Sequence, residues 1–397
     1  SGGIGLLQNS APLLSGDVAE KSLPMTRAKK KDQNSLALEL TELLLSESEE
    51  LQTAKVKSID HLAGDGSGRR YFRVHVNGAS FKSVILVILS HEHGPVTHGG
   101  EELNQDDTFV NLSQYFNEFR IAVPRVICDG RLLGALIVQD VGDIALWRFA
   151  FGDLDKNALQ LAQKMGPEAT LVLYKKAVDV IANIQHCAPT KECVAFSRYM
   201  GEEEYKIESR RFIDHYLVPR EVSKRHLTVV EELIEDLCSS VAEHPRVLMH
   251  RDFMPWNIHV TDRGEIAVLD FQDAIVGSYV YDVISLVHDR DADFALGDDR
   301  CGQIVDYFKD KFALGAGFYG HYNEALLQRY LRLAGQFHLL TKKTGRPIYE
   351  SWVPGCLRRV GRTLANMPQY KKGLDVLTKV VPEIAQGAAE PWSFGSR

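Results

Sequence analysis

The chain has 397 residues, 45% of them hydrophobic and 25% charged, a balance that supplies a sizeable core and excludes a disordered or fibrous bulk. Its 46 basic residues against 53 acidic ones leave a net charge of −7, which makes it a poor non-specific binder of phosphate backbones and argues against a nucleic-acid partner. At roughly 100–200 residues per domain, the length fits two or three domains or one two-lobed enzyme. The longest apolar run, Val84 to Leu89, is far too short to span a membrane. No apolar stretch follows a basic start in the first thirty residues, so no secretory signal is expected. Six cysteines are scattered without a C-x-x-C pair, the pattern of buried, reduced thiols in a cytoplasmic protein. A monomer is expected.

Residues 1–34 read as a flexible leader rich in Gly, Ser, Pro and Ala, closing on a solvated basic run from Arg27 to Lys31. A helix is expected from about Ser35, with Leu36, Leu40, Leu43 and Leu44 at helical spacing. An extended segment from Val56 to Leu62 comes next, followed by glycines and then Tyr71–Val76, where Phe72, Val74 and Val76 alternate with period two. The solid apolar run Ser83–Leu89 reads as a buried central strand. Phe109, Leu112, Phe116 and Phe119 mark an amphipathic helix, and Arg125–Ile127 and Ala135–Val138 two more strands. From Gly142 long helical patterns dominate: 169–186, 202–215, 222–243 and 322–342, interrupted by a β island at 247–269. The plan is α+β and two-lobed, with a sheet-rich N-terminal lobe over 35–140, a mainly helical C-terminal lobe over 141–397, and a hinge near Gln139–Gly142.

The chemistry concentrates in His250–Arg251–Asp252–Phe253–Met254–Pro255–Trp256–Asn257 and Asp270–Phe271–Gln272–Asp273. Between them Ile258–Val260 and Ile266–Leu269 flank the turn Thr261–Asp262–Arg263–Gly264, the pattern of a β-hairpin. Asn257 enters that hairpin and Asp270 leaves it, so antiparallel pairing brings their Cα atoms to one end, roughly 5 Å apart. A carboxylate and an amide oxygen held there can share magnesium, which prefers a few oxygen ligands plus phosphate oxygens and water. Asp252, in the loop just before, is placed to accept a proton from an attacking hydroxyl. An H-R-D-x-x-x-x-N segment followed by D-F-x is a phosphoryl-transfer pattern. Ordinary turn-forming Asp and Asn residues would be a long coincidence at this spacing.

These segments, with Gly277, Tyr281–Leu286, Arg69–Val74 and Gln328–Tyr349, resemble the aminoglycoside phosphotransferase family of small-molecule kinases, whose fold is protein-kinase-like. Within it the chain is most similar to bacterial kinases of the anomeric 1-hydroxyl of N-acetylmuramate and N-acetylglucosamine, over about residues 50–370. The resemblance implies ATP and Mg2+ as cofactors, a sugar as substrate and a role in cell-wall recycling. Asp252 would orient and deprotonate the sugar hydroxyl, Asn257 and Asp270 would hold magnesium, His250 would brace the loop, and Asp282 would be a structural acid near the start of the next helix. Asp273 is a candidate for metal or substrate contact, and Trp256 for stacking on a sugar ring. An aminoglycoside phosphotransferase and a catalytically inactive kinase-fold binding protein are the rival readings.

Gly64, Gly66, Ser67 and Gly68 lie between two expected strands, where bare backbone can approach nucleotide phosphates; a dinucleotide fold would need a helix directly after them. No G-x-x-x-x-G-K-[ST] occurs, which excludes a Walker-type site. Gln139 and Val141 resemble the hinge that would bind the adenine edge. The third strand lacks the lysine usual in kinases: Lys82 only precedes it, so either Lys82 serves through a shifted register or Arg69, Arg70 or Arg73 substitutes, with Glu101, Glu102 and Glu118 as candidate acidic partners. His91, Glu92, His93 and His98 read as a solvated loop rather than a metal site. Asp289–Asp299, with five aspartates and one arginine, reads as a solvated acidic loop or as one wall of a site for a cationic substrate.

Overall fold

A computed structural model describes residues 27–62, 69–89, 96–98 and 101–393. The chain divides into two compact units, one within Ser1–Gly94 plus Val126–Asp140, the other within Pro95–Arg125 plus Val141–Arg397.

The first unit is a five-stranded antiparallel sheet. Its spatial order is Lys55–Leu62, Arg70–Asn77, Ser83–Ile88, Ala135–Gln139, Val126–Gly130. Strand alternation puts Phe72, Val74, Val76, Val84, Leu86, Ile88, Ala135 and Ile137 on one face, where they bury against Ala37, Leu44, Leu45 and Leu51. The helix carrying the first three of those runs Arg27–Glu47, so it begins inside the stretch expected to be a leader. Its buried stripe also differs from the expected one. Ala37, Thr41, Leu44 and Leu45 face the sheet, whereas Leu36 and Leu43 are 43% and 44% exposed. A threonine can sit on that stripe because its hydroxyl donates to the Ala37 carbonyl at 2.6 Å. The helix comes so close that a Cβ at Gly130 would lie 2.3 Å from a Leu44 methyl and 2.8 Å from the Ala135 carbonyl oxygen.

The opposite face of the sheet carries Arg73, Ile85 and Val138 in one cross-strand row. Arg73 is held there by Asp140, which takes its Nε at 2.6 Å and a terminal nitrogen at 2.9 Å and also accepts from Ser83 Oγ at 2.6 Å.

The second unit is mainly helical around one large core. Helix Gln105–Glu118, counted with the first lobe in the sequence reading, packs here: Leu112 and Phe116 are buried in this core, and Phe109 stacks on Phe271 with ring centres 4.8 Å apart. Its N-terminus is closed by a reciprocal cap between Asn104 and Asp107. The expected long helices occur as Ala169–Gln185, Glu202–Phe212 (running on into a π turn, Ile213–Leu217), Lys224–Ala242 and Phe318–Thr344. Helices Asp298–Lys311 and Val353–Leu364 were not anticipated. No helix among the described residues is long and apolar enough to cross a membrane. The six cysteines are free, all but Cys128 of them buried.

The β island is two antiparallel pairs. Arg246–Met249 pairs with Ile275–Ser278, and Ile258–Val260 pairs with Ile266–Val268. The hairpin turn closes through Thr261 and Glu265, with Gly264 supplying a φ of +74°. Because one pair opens and closes the segment and the other lies within it, the linking loops 250–257 and 269–274 run side by side. This juxtaposition positions the site.

Candidate functional site

Loop 250–257 is fixed at its start by Asp282, near the N-terminus of helix Tyr281–His288. Its two carboxylate oxygens accept the backbone N–H groups of His250 (2.7 Å) and Arg251 (2.9 Å). That grip holds Arg251 in a left-handed backbone conformation, φ +76°, unusual for a residue with a side chain. Burial, acting against those backbone hydrogen bonds, pushes the Asp282 carboxyl up to about 7. The His250 ring is fully buried and donates Nε2–H to the Leu269 carbonyl at 3.0 Å, tying the loop's start to the hairpin's exit. Burial drives its pKa down to about 4, so the imidazole is neutral and acts as a brace.

At the far end of the loop, Leu269 N–H donates to the Asn257 carbonyl at 2.8 Å, which extends the hairpin pairing by one residue. Asn257 and Asp270 therefore meet as the spacing predicts: Asn257 Nδ2 lies 3.4 Å from Asp270 Oδ2 and donates to the Asp252 carbonyl at 3.0 Å. Asp270 is itself left-handed, φ +59°, and Gln272 Nε2 orients its other oxygen at 2.6 Å. An amide and a carboxylate fixed this close, with the carboxylate on a left-handed backbone, form a donor set that fits magnesium with phosphate and water completing the shell.

Asp252 lies between these anchors and is half-buried. Its carboxylate receives no hydrogen bond from the described residues. Burial alone would raise its pKa, but the guanidinium groups of Arg332, Arg329 and Arg251 outweigh that and hold it below the usual carboxylate range. An ionised carboxylate without a direct partner is equipped to accept a proton from a substrate hydroxyl.

The sequence reading assigns no role to three residues around Asp252, although two of them lie in the segment Gln328–Tyr349 that carries the family resemblance. Glu208, buried on helix Glu202–Phe212, accepts from the Arg251 guanidinium at 3.0 Å and from Arg332 at 3.4 Å. Arg332 also donates to the Tyr281 hydroxyl at 3.1 Å, and Arg329 to buried Asp289 at 3.0 Å. Both arginines come from helix Phe318–Thr344, more than seventy positions along the chain, so only the tertiary fold brings them here.

Asp273 is half-buried near Arg198, whose guanidinium donates to the carbonyls of Gln272 (3.1 Å) and Ala274 (2.9 Å) and so shapes the second loop. Trp256 lies parallel to Trp147, 5.7 Å between ring centres and 6° between planes, with Phe151 edge-on to it. Gly64, Gly66, Ser67 and Gly68 lie outside the described residues, as do His91, Glu92 and His93; the side chains of His98, Glu101 and Glu102 are likewise not described. Glu118 is exposed. Arg70 shares the sheet face of Phe72 and Val74, which the N-terminal helix covers, and Arg73 is engaged by Asp140. Lys82 is exposed, just before its strand. Gln139 ends its strand opposite Val84, and Val141 follows the Asp140 anchor. Among the described residues no group of three or more His, Cys, Asp or Glu side chains is placed to hold a metal.

The Asp289–Asp299 stretch is not a solvated acidic loop. Asp289 pairs with Arg329, and Asp293 is fully enclosed by Arg359 (Nε at 2.7 Å) and His288 (2.8 Å). Asp291 takes Arg359 at 2.9 Å and Asp298 takes Arg362 at 2.5 Å. Arginines from two later helices pair with four of its five aspartates, leaving only Asp299 exposed without one among the described residues, which weakens the anionic wall a polycationic substrate would need.

The fold and the loop pair together define a phosphotransferase of kinase-like architecture, and the comparisons agree. The model of the phosphotransferase enzyme family (APH) matches residues 59–335, and the chain belongs to that family. It is 25% identical to an N-acetylmuramate/N-acetylglucosamine kinase of Neisseria meningitidis over 78% of this chain and 87% of that one. The kinase of the same name from Pseudomonas aeruginosa is also 25% identical, over 82% and 88%. Among solved structures, a choline/ethanolamine kinase family protein from Mesorhizobium loti superposes with a TM-score of 0.53 at 13% identity, covering 86% of this chain and 99% of that one. ADP-bound aminoglycoside phosphotransferase APH(2'')-Ib superposes at 0.52 and 12%, covering 78% and 95%.

Proposed function

We propose that the protein is an ATP- and magnesium-dependent kinase of the anomeric hydroxyl of an N-acetylated amino sugar, N-acetylmuramate or N-acetylglucosamine, working in the cytoplasm in the recycling of cell-wall sugars. The observation that carries this reading is Asp252: an ionised carboxylate without a direct partner among the described residues, beside the Asn257–Asp270 pair, in a chain whose relatives over most of its length are named as kinases of these two sugars. Asp252 accepts the proton of the sugar hydroxyl as its oxygen attacks the γ-phosphoryl group in line. Asn257 and Asp270 are the residues that would hold magnesium, which when bound supplies neutralising charge for the phosphate oxygens. Asp282 and His250 keep the loop in register, so catalysis rests on positioning rather than on covalent chemistry. Gly64, Gly66, Ser67, Gly68, Arg70, Gln139 and Val141 are the candidates for nucleotide contact, and Asp273 for acceptor contact.

The arginine-paired Asp289–Asp299 segment favours an uncharged or anionic acceptor over an aminoglycoside. A coupled ADP-release assay across N-acetylmuramate, N-acetylglucosamine and kanamycin decides between them. Turnover of either amino sugar, with kanamycin inert, is expected. Activity on kanamycin alone would replace this acceptor with the aminoglycoside one, and inactivity on all three would reject both. Asp252→Ala is expected to lower kcat by about 10²–10⁴-fold with ATP affinity nearly intact, as for loss of a general base. Near wild-type turnover in that variant would remove Asp252 from the role.

A further inference from the structure

Arg290 lies just beyond helix Tyr281–His288, in a backbone conformation that arginine rarely adopts (φ 44°, ψ 49°), and Asp291 beside it is left-handed as well (φ 67°). Two consecutive non-glycine residues in this region store strain on the order of 1–3 kcal/mol each and persist only where the surroundings enforce them. Here Asp291 is locked by Arg359 and Asp289 by Arg329, which throws the intervening side chain outward from the buried ion-pair cluster.

The Arg290 guanidinium comes to rest between two indoles, its central carbon 5.5 Å from the ring centre of Trp256 and 4.9 Å from that of Trp352. Trp256 belongs to the loop that carries Asp252 and Asn257, and Trp147 backs it on its own stacking partner's side. Trp147, Trp256 and Trp352 are only half-buried, and Phe151 is exposed at the edge of the group. The side chain of Arg290 is 24% exposed and its one ion pair, Nε to Asp289, is long at 3.5 Å. None of its N–H donors makes a hydrogen bond among the described residues, and Nε is buried without one. Arginine has five donors in a planar fork suited to a carboxylate, and stacking on rings fixes that plane without using them.

We infer that Arg290, held between Trp256 and Trp352, forms an acceptor subsite for a carboxylate-bearing pyranose: the indoles fix the plane of the guanidinium, and its fork takes the carboxylate. This deepens the amino-sugar reading and rests on it. Of the two sugars in that reading, only the one with an acidic side arm can use the fork, so Arg290 is a determinant of preference between acceptors. The charge-assisted fork separates an acid from its neutral counterpart.

The test compares N-acetylmuramate with its methyl ester, which keeps the ring and side arm and loses the charge. Wild-type enzyme is expected to favour the acid by about 10- to 100-fold in kcat/KM, the size of a charge-assisted hydrogen-bond pair. In Arg290→Gln that ratio collapses to within about twofold, and in Arg290→Lys it is intermediate, because charge remains and the planar fork is lost. Thermal melting alongside shows whether either variant is folded, and the ratio is read within one protein, so a general loss of activity does not mimic it. A wild type indifferent to esterification, or an Arg290→Gln enzyme that keeps the full preference, overturns the subsite while leaving the kinase reading intact. A wild type that phosphorylates neither N-acetylmuramate nor N-acetylglucosamine sinks the kinase reading, and the subsite with it.

Discussion

Two aspartate-rich stretches of the second unit, 251–282 and 289–299, look alike in the sequence and do opposite work in the fold. Both contain non-glycine residues with left-handed backbone: Arg251 and Asp270 in the first, Arg290 and Asp291 in the second. In the second, Asp289, Asp291, Asp293 and Asp298 each meet a guanidinium directly. In the first, Asp282 grips backbone N–H groups, amides orient Asp270, and Asp252 has arginines nearby without touching any of them. Aspartate count therefore says little about chemistry. What separates Asp252 from the aspartates of the second stretch is whether a cation meets the carboxylate directly, and that is set by distant helices.

Exchanging one aspartate from each stretch for asparagine sharpens this contrast most. Asp270→Asn suits the left-handed backbone and keeps an oxygen for Gln272, so the fold should tolerate it. Turnover should fall by roughly 10²-fold or more as the anionic oxygen of the pair is lost, with the melting temperature little changed. Asp293→Asn leaves buried Arg359 with only the partly exposed Asp291 as an anionic partner and should cost up to about 3–5 kcal/mol of unfolding free energy, while kcat per folded molecule is preserved. Urea denaturation and steady-state kinetics on both variants suffice. Equal effects on stability and turnover in the two would erase the distinction.

The same contrast shows in how legible each region is. The hairpin and the meeting of Asn257 with Asp270 follow from local rules, namely turn chemistry, strand period and the short reach of an antiparallel pair, whereas a structural role for Asp282 is implied only by the family resemblance. The second stretch was misread because its partners, Arg329, Arg359 and Arg362, lie on two helices whose sequence patterns carry no mark of which arginine turns inward. Glu208 escaped for the same reason. In the N-terminal helix, leucine spacing suggests Leu36 and Leu43, yet the stripe that faces the sheet uses Ala37 and Thr41 with Leu44 and Leu45, because which stripe turns inward is set by the sheet it meets.

The brace at the start of the loop makes a pH prediction of about 3 kcal/mol. His250 has a folded-state pKa near 4 against 6.5 unfolded, so its contribution is fully present above pH 6.5 and is lost as pH falls toward 4. Asp282, raised from 3.8 to about 7, runs the other way: its contribution is present below 3.8 and is lost as pH climbs toward 7. In the wild type the two slopes largely offset one another between pH 4 and 6.5. Replacing His250 by Gln removes the first, so the gap in unfolding free energy between wild type and variant should widen with rising pH, by up to about 3 kcal/mol. Denaturation curves at several pH values check it, and a gap independent of pH would mean that His250 is not buried as a neutral ring.

The smallest expected effect concerns Glu208, which lies where the two kinds of carboxylate meet. It is buried and cation-paired like those of the second stretch, yet its partners Arg251 and Arg332 border the catalytic loop. Arg251 is held at both ends, its backbone by Asp282 and its guanidinium by Glu208, and the left-handed conformation between them sets the direction in which Asp252 leaves the loop. Glu208→Gln keeps the shape and removes the charge. If the glutamate positions the loop, kcat should drop about tenfold, near 1.4 kcal/mol, with KM for both substrates close to wild type and partial recovery in Glu208→Asp. If it serves packing alone, the melting temperature should fall while kcat holds. A loss confined to stability would place Glu208 with Asp293, and a loss confined to turnover would place it with Asp252.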